Sequence, residues 1–467
     1  MKTPVDVMHA PASCFFVLNS SGIEEALPSD GNYEQFDHGL SKLIMATVGS
    51  NKSVHFARHM DIIQRLEWAD YEPASDKGHF RYYPNGALVY QLLVEWCEQV
   101  AMDDFGALPL RTPFLYLSDS QAVKGQIGMF EKNVYPVYGG QNHDEFVLRF
   151  NDDLGLFAVM KDSQLTHRHL PIRIYEHTPS FRYIQSGTLA GISKGRYFSL
   201  TDVHSFCKDL EQGLAEYVEI QKILTRVAKG VGIDLAIHFK VTRDFYPTAK
   251  ATMVAMLSDR GKMLVEMIPG QRQYWAMKHI ACTDHPQRLF HVQFDLDNSE
   301  RFGIKYVASD GSRKNCVIIH TALGTPERWM VIAVEDALKK DPPTLPLWLS
   351  PTQVRIIPVS EEKHVDFCVG VARDLKQRRI RVDVDERSEK MGWRIRAAER
   401  EWIPYIVVCG DKEQEGAPLS VRVRGGKQIQ TSVSDLADLI HRQTSEMPFR
   451  SLPGMLVSKR PVFRGRD

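Results

Sequence analysis

The amino-acid sequence predicts an α+β protein in which a domain built on a largely antiparallel sheet is followed by a smaller α/β domain. The first observation is a series of strand-like apolar segments with few helices between them, which favours antiparallel pairing. These segments are 146–150, 172–175, 235–240, 263–268, 289–296, 302–307 and 316–319. The second is the proline-rich joint Asp341-Pro342-Pro343-Thr344-Leu345-Pro346, which predicts a domain boundary. The third is the alternation of strand and helix patterns after this joint, which is typical of an α/β domain.

Length and composition are those of an ordinary globular protein. The chain has 467 residues, of which 43% are hydrophobic, and 58 basic residues balance 58 acidic ones. No apolar run approaches the ~20 residues that span a bilayer, and the first residues lack a signal-peptide pattern, so we expect a cytoplasmic protein without a membrane partner. The seven cysteines include no C-x-x-C pair, which predicts reduced thiols and excludes a cysteine-rich zinc module. From Leu345 onward, 22 basic residues stand against 17 acidic ones, an excess that suits either a polyanionic partner or a solvated surface.

Taken in order, the segments predict four regions. Residues 1–60 have weak periodicity and are expected to form a short N-terminal extension. Residues 61–344 hold the sheet domain, with helices over 85–102, 210–229 and 327–339; the first has apolar residues at intervals of four, namely Leu88, Leu92, Trp96 and Val100. Residues 345–450 hold the α/β domain, with strands over 354–359, 380–385, 405–409 and 419–424 and helices over 362–377, 389–401 and 433–442. Residues 451–467 form a basic tail, for which disorder is expected.

Two arginines flank a glycine-rich loop between predicted strands. Arg182 precedes this loop, Arg196 follows it, and Phe198 stands two residues further on. A hairpin of this kind can hold one arginine against a phosphate, bring the second over a polyphosphate tail and stack the aromatic ring on a base. From these residues alone, the alternative is a surface hairpin with ordinary arginines.

A second constellation joins a strand to a helix. An apolar strand ends in His320, passes a Gly-Pro turn and enters a helix that carries Arg328 in its first turn. Backbone N–H groups at the start of a helix favour anions, and an arginine there reinforces the effect. The alternative is a strand–turn–helix unit whose arginine faces solvent.

Together and in this order, these segments resemble the three motifs of class II aminoacyl-tRNA synthetases, and most closely those of the threonyl-tRNA synthetase family. Leu170-Pro171-Ile172-Arg173 leading to Phe181-Arg182 is similar to motif 2, with Arg196 through His204 as its continuation, and His320 through Arg328 is similar to motif 3. Val408-Cys409-Gly410-Asp411-Lys412-Glu413 resembles the family's anticodon-binding domain. The resemblance implies a class II catalytic domain with an antiparallel sheet over 61–344 and an α/β anticodon-binding domain over 345–450.

The resemblance implies a site for ATP with Mg²⁺. In the family, the residue at Arg182 holds the α-phosphate and the residue at Phe198 stacks on adenine. The residues at Arg196 and Arg328 bind the γ-phosphate, so Arg182 and Arg328 are the candidate catalytic residues. The glutamate that the family carries shortly after the motif 2 arginine is absent, which makes Gln185 the candidate for reading adenine.

The resemblance also implies a Zn²⁺ ion that takes the amino group and the hydroxyl group of threonine as ligands. A plain apolar pocket separates threonine from valine only weakly, because the two differ by one hydroxyl. The family's protein ligands are one cysteine and two histidines, and His204 and His320 match the histidines. The cysteine position falls on Asp153, with Asp152 as a close rival, and aspartate is an acceptable zinc ligand.

Further residues match positions at which the family contacts its substrates. Asp202 would accept a hydrogen bond from the threonine hydroxyl, and Tyr246 and Gln293 match other threonine-contacting positions. Glu413 and Arg422 fall where the family reads anticodon bases, a role that suits a splayed single-stranded loop.

The resemblance therefore predicts a threonine–tRNA ligase that joins L-threonine to tRNA(Thr) through a threonyl-adenylate. We expect a homodimer formed through the helix that ends near Met102 and the strand at Pro113, and no DNA partner. The alternatives are a class II synthetase of seryl or prolyl specificity and a non-catalytic tRNA-binding or regulatory paralogue.

The departures from the family pattern indicate a divergent, archaeal-type form. Residues 1–60 are too few for the N-terminal domain that hydrolyses Ser-tRNA in the family, so we expect no cis-editing and a separate trans-editing protein. Serine carries the same amino and hydroxyl groups as threonine. Serine-charged tRNA is therefore expected to accumulate when the purified chain acts alone, as measured by charging with labelled serine; accurate charging would contradict this prediction.

Overall fold

The computed structural model describes residues 13–49, 58–130, 133–139, 144–257, 261–270, 274–283 and 287–464. These residues form two compact units. The first unit comprises the described parts of 1–54, 97–184 and 197–325, and the second unit those of 55–96, 185–196 and 326–467. Residues 465–467 of the predicted basic tail lie outside the described part of the chain. No helix among the described residues is both long enough and apolar enough to cross a membrane.

The elements are numbered in chain order. The strands are β1 Cys14–Asn19, β2 Glu24–Ala26, β3 Ala69–Tyr71, β4 Phe80–Tyr82, β5 Leu108–Pro109, β6 Leu115–Leu117, β7 Pro136–Gly139, β8 Asp144–Leu148, β9 Leu165–Thr166, β10 Ile172–Phe181, β11 Tyr197–Cys207, β12 Ala236–Thr242, β13 Lys262–Ile268, β14 Trp275–Cys282, β15 Arg288–Asp295, β16 Lys305–Val307, β17 Arg313–Asn315, β18 Val317–Ala322, β19 Val354–Pro358, β20 Val382–Val384, β21 Tyr405–Cys409, β22 Leu419–Val423 and β23 Gln428–Thr431. The helices are α1 His38–Val48, α2 Arg58–Arg65, α3 Pro84–Gln99, α4 Gln121–Phe130, α5 Asp153–Asp162, α6 Leu210–Gly230, α7 Tyr246–Met256, α8 Asn298–Phe302, α9 Pro326–Ala337, α10 Glu361–Gln377, α11 Met391–Arg400, α12 Asp411–Gln414 and α13 Val433–Thr444.

A ten-stranded sheet forms the centre of the first unit, in the order β2-β1-β13-β12-β14-β15-β18-β11-β10-β5. All of its neighbouring strands are antiparallel except the pairs β12–β13 and β10–β5. The prediction of a largely antiparallel sheet is therefore confirmed. Two three-stranded sheets, β17-β16-β9 and β6-β8-β7, lie in the same unit.

Helix α6 packs on one face of this sheet, and the candidate active site described below lies on the opposite face. Glu216 of α6 forms an ion pair with Arg173 on β10 at 2.6 Å, and Ser205 on β11 donates a hydrogen bond to the same carboxylate. Tyr217 of α6 donates to the carbonyl of Val292 on β15. Because side chains alternate along a strand, the residues next to Ser205 and Val292 in sequence point to the opposite face.

On that opposite face, α5 covers one part of the sheet with an apolar core. Leu156, Phe157 and Met160 of α5 share a buried cluster with residues of β10, β11 and β18, among them Ile174, Phe206, and Ile318. The cluster fixes the start of α5 against the sheet because a close-packed core leaves little freedom to shift.

Residues 14–48 belong to the sheet unit, although the sequence predicts an extension over 1–60. β1 pairs along its whole length with β13, from Cys14 opposite Met267 to Asn19 opposite Lys262. α1 packs in the same apolar cluster as β1 and β13. The segment escapes prediction because its partner strand lies far along the chain, where local periodicity carries no signal.

The strand predicted over 302–307 is another difference. α8 ends at Phe302, Gly303 adopts a left-handed conformation with φ 72°, and only Lys305–Val307 forms a strand. The carboxylate of Asp295 accepts hydrogen bonds from the backbone of Asp297 and Asn298 and starts this short helix. A side-chain cap and a glycine stop therefore override the apolar pattern.

The second unit contains the α/β fold that the strand–helix alternation predicts. Its five-stranded sheet has the order β20-β19-β21-β22-β23, in which β19 runs parallel to both neighbours. Buried Arg355 on β19 forms paired hydrogen bonds to Asp383 at 2.9 Å and to Glu401 at 2.8 Å. α2, α9 and residues 84–96 of α3 lie in the same unit. The units therefore divide the chain differently from the boundary at residue 344, which stays a prediction.

Candidate active site

Three neighbouring strands bring polar side chains into one row on the face opposite α6. His204 on β11 lies directly opposite His320 on β18, and His320 lies opposite Gln293 on β15. Directly opposed residues of antiparallel strands share a face and hold their side chains close together. The register therefore joins three residues that are far apart in sequence.

Asp153 joins this row from the first position of α5. A buried arginine shapes the turn before it, because Arg149 donates from Nε to the carbonyl of Asn151 and from Nη2 to the carbonyl of Asp152. Arg149 is held in turn by Glu176 on β10, at 2.6 Å and 3.1 Å. Burial alone lowers the pKa of Arg149, but Glu176 outweighs it, and the guanidinium stays charged.

Asp153, His204 and His320 form a compact buried cluster. Asp153 Oδ1 lies 3.1 Å from His204 Nε2 and 3.3 Å from His320 Nδ1, and the two imidazole nitrogens are 3.0 Å apart. In a tetrahedral metal site with bonds of about 2.0–2.1 Å, neighbouring ligand atoms lie about 3.3 Å apart. These three atoms therefore fit one side of such a shell.

A second carboxylate orients the cluster from behind. His320 Nε2 donates to Asp295 Oδ2 at 2.8 Å, and Asp295 is completely buried. A metal-binding histidine ordinarily gives its other N–H to a carboxylate or carbonyl, which fixes the ring and leaves the remaining nitrogen to the metal. His320 has this arrangement.

The pKa values in the cluster follow from its geometry. Burial alone raises the pKa of Asp153, but His320 and His204 outweigh it and hold that pKa well below its usual range. Burial lowers the pKa of His320, but Asp153 and Asp295 outweigh it, so the pKa of His320 lies well above its ordinary value. The carboxylates of Asp153 and Asp295 thus stabilise a positive charge between them. A divalent cation bound there would supply such a charge.

Of the two rival aspartates, Asp153 has the better geometry for the third ligand. Its Oδ1 reaches both histidines, whereas Asp152 Oδ2 lies 3.5 Å from His204.

Asp152 is directed towards Asp202, which lies on the same face of β11 as His204. Burial raises the pKa of Asp202 well above its ordinary value, and the hydrogen bond and charge of Asp152 add to this. In its protonated form Asp202 can therefore offer both a donor and an acceptor to a substrate hydroxyl.

Tyr274 completes the wall of the cluster. Its ring centre lies 5.2 Å from that of His320. Burial and the charges of Asp153 and Asp295 raise the pKa of Tyr274 well above its ordinary value, and a hydrogen bond with Gln293 partly opposes them. Tyr274 escapes prediction from the sequence because β14, which begins at the next residue, is itself not predicted. The available signal is an aromatic residue at the start of a strand whose hairpin partner carries Gln293.

The structure pairs the Tyr246 hydroxyl with β2, and its contact with threonine stays a prediction. Tyr246 begins α7, and its hydroxyl donates to Glu24 on β2 at 2.7 Å. β2 is the edge strand of the large sheet and lies six strands from β18. The Tyr246 ring packs on Phe16 of β1, with ring centres 5.8 Å apart.

Arg182 and Phe198 lie close together where β10 ends and β11 begins. Arg182 Nε donates to the carbonyl of Phe150 at 2.7 Å, and its guanidinium carbon lies 5.2 Å from the centre of the Phe198 ring. Burial lowers the pKa of Arg182, and Asp152 is the first of several acidic groups that oppose this. The guanidinium thus faces the acidic cluster of the same unit and keeps a flat, cationic surface over an aromatic ring.

The remaining predicted residues lie in the second unit. Arg196 is buried and paired with Asp76, with its backbone N–H bonded to the carbonyl of Gly78. Gln185 is exposed, and Arg328 is half-buried in the first turn of α9.

The side chains of the two predicted anticodon residues differ in their contacts within the protein. Glu413 accepts a hydrogen bond from the backbone N–H of Gly410 at 2.9 Å and so caps the start of α12. Arg422 on β22 is half-exposed and lies 3.9 Å from Glu399. Arg422 therefore has the freer side chain of the two.

Comparison with family models defines the class. The tRNA synthetase class II core domain (G, H, P, S and T) matches residues 135–337, and an anticodon binding domain matches residues 353–443. With the antiparallel sheet, these matches identify a class II tRNA synthetase core and an anticodon binding domain within the chain.

Curated relatives identify the family within this class. The threonine–tRNA ligase of Pyrococcus horikoshii is 38% identical over 423 residues, which cover 87% of this chain and 67% of that protein. The threonine–tRNA ligase of Methanosarcina mazei is 35% identical over 446 residues, covering 91% of this chain and 69% of that protein. The chain belongs to the threonine–tRNA ligase family, and the resemblance found in its motifs is confirmed.

Solved structures share the fold. The RNA binding domain of threonyl-tRNA synthetase from Cryptosporidium parvum matches with a TM-score of 0.73 and 23% identity, covering 84% of this chain and 99% of that one. Prolyl-tRNA synthetase from the same organism matches with a TM-score of 0.65 and 16% identity, covering 85% of this chain and 79% of that one.

Proposed function

We propose that this chain attaches L-threonine to tRNA(Thr) and that the buried cluster in the first unit is its threonine site. The observation that carries the proposal is the convergence of Asp153, His204 and His320 beside Gln293 and Asp202, in a chain of the threonine–tRNA ligase family. In the first step the threonine carboxylate attacks the α-phosphorus of ATP and expels pyrophosphate. In the second step the terminal ribose hydroxyl of the tRNA attacks the adenylate and releases AMP.

Asp153, His204 and His320 are the residues that would hold a zinc ion. When bound, zinc supplies a Lewis-acid centre to which the amino group and the hydroxyl of threonine can both bind. Valine lacks the hydroxyl, so it would leave this centre and the polar groups around it unsatisfied. Asp202 and Gln293 then orient the threonine by hydrogen bonds, with Tyr274 closing the pocket.

The proposed ATP site uses the arginines and the aromatic residue that the resemblance implies. Arg182 binds the α-phosphate and stabilises the charge that develops there as the carboxylate attacks. Phe198 stacks on adenine, and Gln185 reads its edge in place of the missing glutamate. Arg196 and Arg328 bind the γ-phosphate, while Mg²⁺ accompanies the nucleotide and neutralises the phosphates.

Glu413 and Arg422 are proposed to contact the anticodon. Arg422 is supported by its half-exposed side chain on β22. It also lines a cavity of about 460 Å³ with Arg424 and Lys427, whose positive charge suits an RNA backbone.

The proposed function is tested by amino-acid-dependent pyrophosphate exchange with purified chain. Threonine is expected to support exchange, serine more weakly, and valine at least about a thousandfold more weakly than threonine, because valine leaves the polar groups of the site unpaired. A preference for proline would contradict threonine specificity. Binding of tRNA without any exchange would instead favour the non-catalytic paralogue.

We further propose that the chain forms a homodimer through the segment 102–138. Large apolar side chains in this segment are more than a third exposed, which is unusual for residues of their type. They are Met102, Leu108, Phe114, Leu115, Leu117 and Tyr138. A second copy would cover them, and the resemblance implies association through this part of the chain. Pro113 itself lies in the connection between β5 and β6.

Leu117→Glu is expected to convert the dimer to a monomer, because it would bury a charge in an apolar interface. Sedimentation velocity at micromolar concentration measures the change. Ile23→Glu is the matched control, since Ile23 is similarly exposed but lies between β1 and β2, outside the segment 102–138. A monomeric wild-type chain, or a dimer that survives Leu117→Glu, would contradict this interface.

A further inference from the structure

The two oxygens of Asp153 face different partners. Oδ1 faces His204 and His320, as described above. Oδ2 accepts hydrogen bonds from the side-chain amides of Gln126 at 3.1 Å and Asn151 at 3.2 Å. One oxygen thus faces the two histidines of the proposed metal site, while the other is held by two amide donors, which we call the amide pair.

The amide pair is buried and fixed by its own contacts. Gln126 on α4 is completely buried, and Asn151 is 4% exposed. Asn151 also donates to the side-chain carbonyl of Gln126, so the two amides orient each other. The backbone of Asn151 is held by Arg149 at 2.9 Å. Buried amides with such defined partners lose much hydrogen-bonding energy if they turn, so they are stiff anchors.

An aspartate ligand needs such anchors, whereas a cysteine ligand does not. A thiolate offers one donor atom, which needs no further orientation once its side chain is placed. A carboxylate can rotate about its Cβ–Cγ bond and can bind through one oxygen or through both. Hydrogen bonds to the second oxygen restrict both freedoms, as outer partners of metal ligands commonly do.

We propose that Gln126 and Asn151 are positioning residues that hold Asp153 as a one-oxygen metal ligand and thereby set the metal affinity of the site. This inference rests on the proposed function, because it takes Asp153, His204 and His320 as the metal ligands. The resulting donor set is one carboxylate oxygen and two imidazole nitrogens. Such a set suits Zn²⁺ and other first-row divalent ions and lacks the thiolate that favours soft ions such as Cd²⁺.

The test measures Zn²⁺ affinity of the metal-stripped full chain by competition with a chromophoric chelator. Gln126→Met and Asn151→Ala are each expected to weaken Zn²⁺ binding about 10- to 100-fold. Gln121→Met is the matched control, because Gln121 is an exposed glutamine on the same helix and makes only a surface contact with Lys161. Thermal unfolding of each variant shows whether the fold is intact.

A second comparison separates positioning from a general effect on the fold. Asp153→Cys restores the ligand that the family carries, and it is expected to raise the preference for Cd²⁺ over Zn²⁺. Adding Gln126→Met to D153C should then change the Zn²⁺ affinity less than threefold, because a thiolate has no second oxygen to anchor. The loss caused by Gln126→Met is thus expected only when Asp153 is present.

The outcomes distinguish the two proposals. If the wild-type chain binds no Zn²⁺ and no other first-row divalent ion, the proposed metal site fails and this inference fails with it. If the wild-type chain binds Zn²⁺ and Gln126→Met binds it as tightly, the metal site stands and the positioning role is wrong. If Gln126→Met costs the same affinity with Asp153 and in D153C, the amide acts through the fold, and the positioning role is again overturned.

Discussion

Replacing Arg182 by alanine is expected to lower threonine-dependent pyrophosphate exchange by about 10²- to 10³-fold, the usual effect of removing a donor that faces developing charge. Arg182 is anchored through Nε to the carbonyl of Phe150 and lies over the ring of Phe198, which is the proposed adenine-stacking residue. Because the interaction strengthens as the carboxylate attacks, kcat should fall more than the KM for threonine rises. Steady-state exchange at varied threonine and ATP concentrations measures both.

The lysine variant and a surface arginine provide the controls for this prediction. Arg182→Lys keeps the positive charge but loses the planar guanidinium group with its paired N–H donors. Its exchange rate should therefore lie between those of Arg182→Ala and the wild type. Arg301→Ala removes an exposed arginine of α8 in the same unit and should leave exchange unchanged. An Arg182→Ala variant that folds normally and exchanges pyrophosphate within threefold of wild type would refute the proposed role.

Replacing His320 by alanine is expected to abolish retention of the metal ion and to lower threonine-dependent exchange roughly a thousandfold, which corresponds to several kcal/mol of Lewis-acid stabilisation. The change removes one of the three ligand atoms and leaves Asp153 and Asp295 without the imidazole that lies between them. Metal content after gel filtration, measured by mass spectrometry, reports the first effect independently of activity.

The stability of this variant also carries information. His320 has a raised pKa, so its protonated form stabilises the metal-free fold below the ordinary histidine pKa, and this contribution is lost as pH rises through the raised value. His320→Ala should therefore destabilise the metal-free chain more at pH 6 than at high pH. His38→Ala, at the exposed start of α1, should change neither metal content nor exchange. Full metal content in His320→Ala would contradict the ligand assignment.

Local sequence signals predicted much of the sheet and most of the second unit. The segments 235–240, 263–268 and 289–296 correspond to β12, β13 and β15, and the helix predicted over 210–229 corresponds to α6. These elements have continuous apolar patterns and clear ends. By contrast, α5, α7 and β14 are not predicted, because their patterns are short and their burial comes from partners distant in sequence.

The candidate site shows the same division. His204 and His320 were identified by their positions in motifs, and the register of β11 and β18 brings them side by side. The resemblance indicates Tyr246, whereas no sequence pattern indicates Tyr274. In the structure the Tyr274 ring lies beside that of His320, and the Tyr246 hydroxyl bonds Glu24 of β2. No sequence pattern indicates that Gln126 belongs to the site, since a lone glutamine in an amphipathic helix is ordinarily a surface residue.

Local patterns predict the class of fold, the family and the residue types available for chemistry, because periodicity, turn residues and motif order are local properties of the chain. Tertiary structure alone decided which tyrosine faces the histidines, which of two adjacent aspartates reaches both of them, and which buried amides hold its second oxygen. These choices depend on cross-strand register and on the buried turn around Arg149, which join residues tens to hundreds of positions apart. Distances of that kind follow from the packing of the whole unit, and no local pattern encodes them.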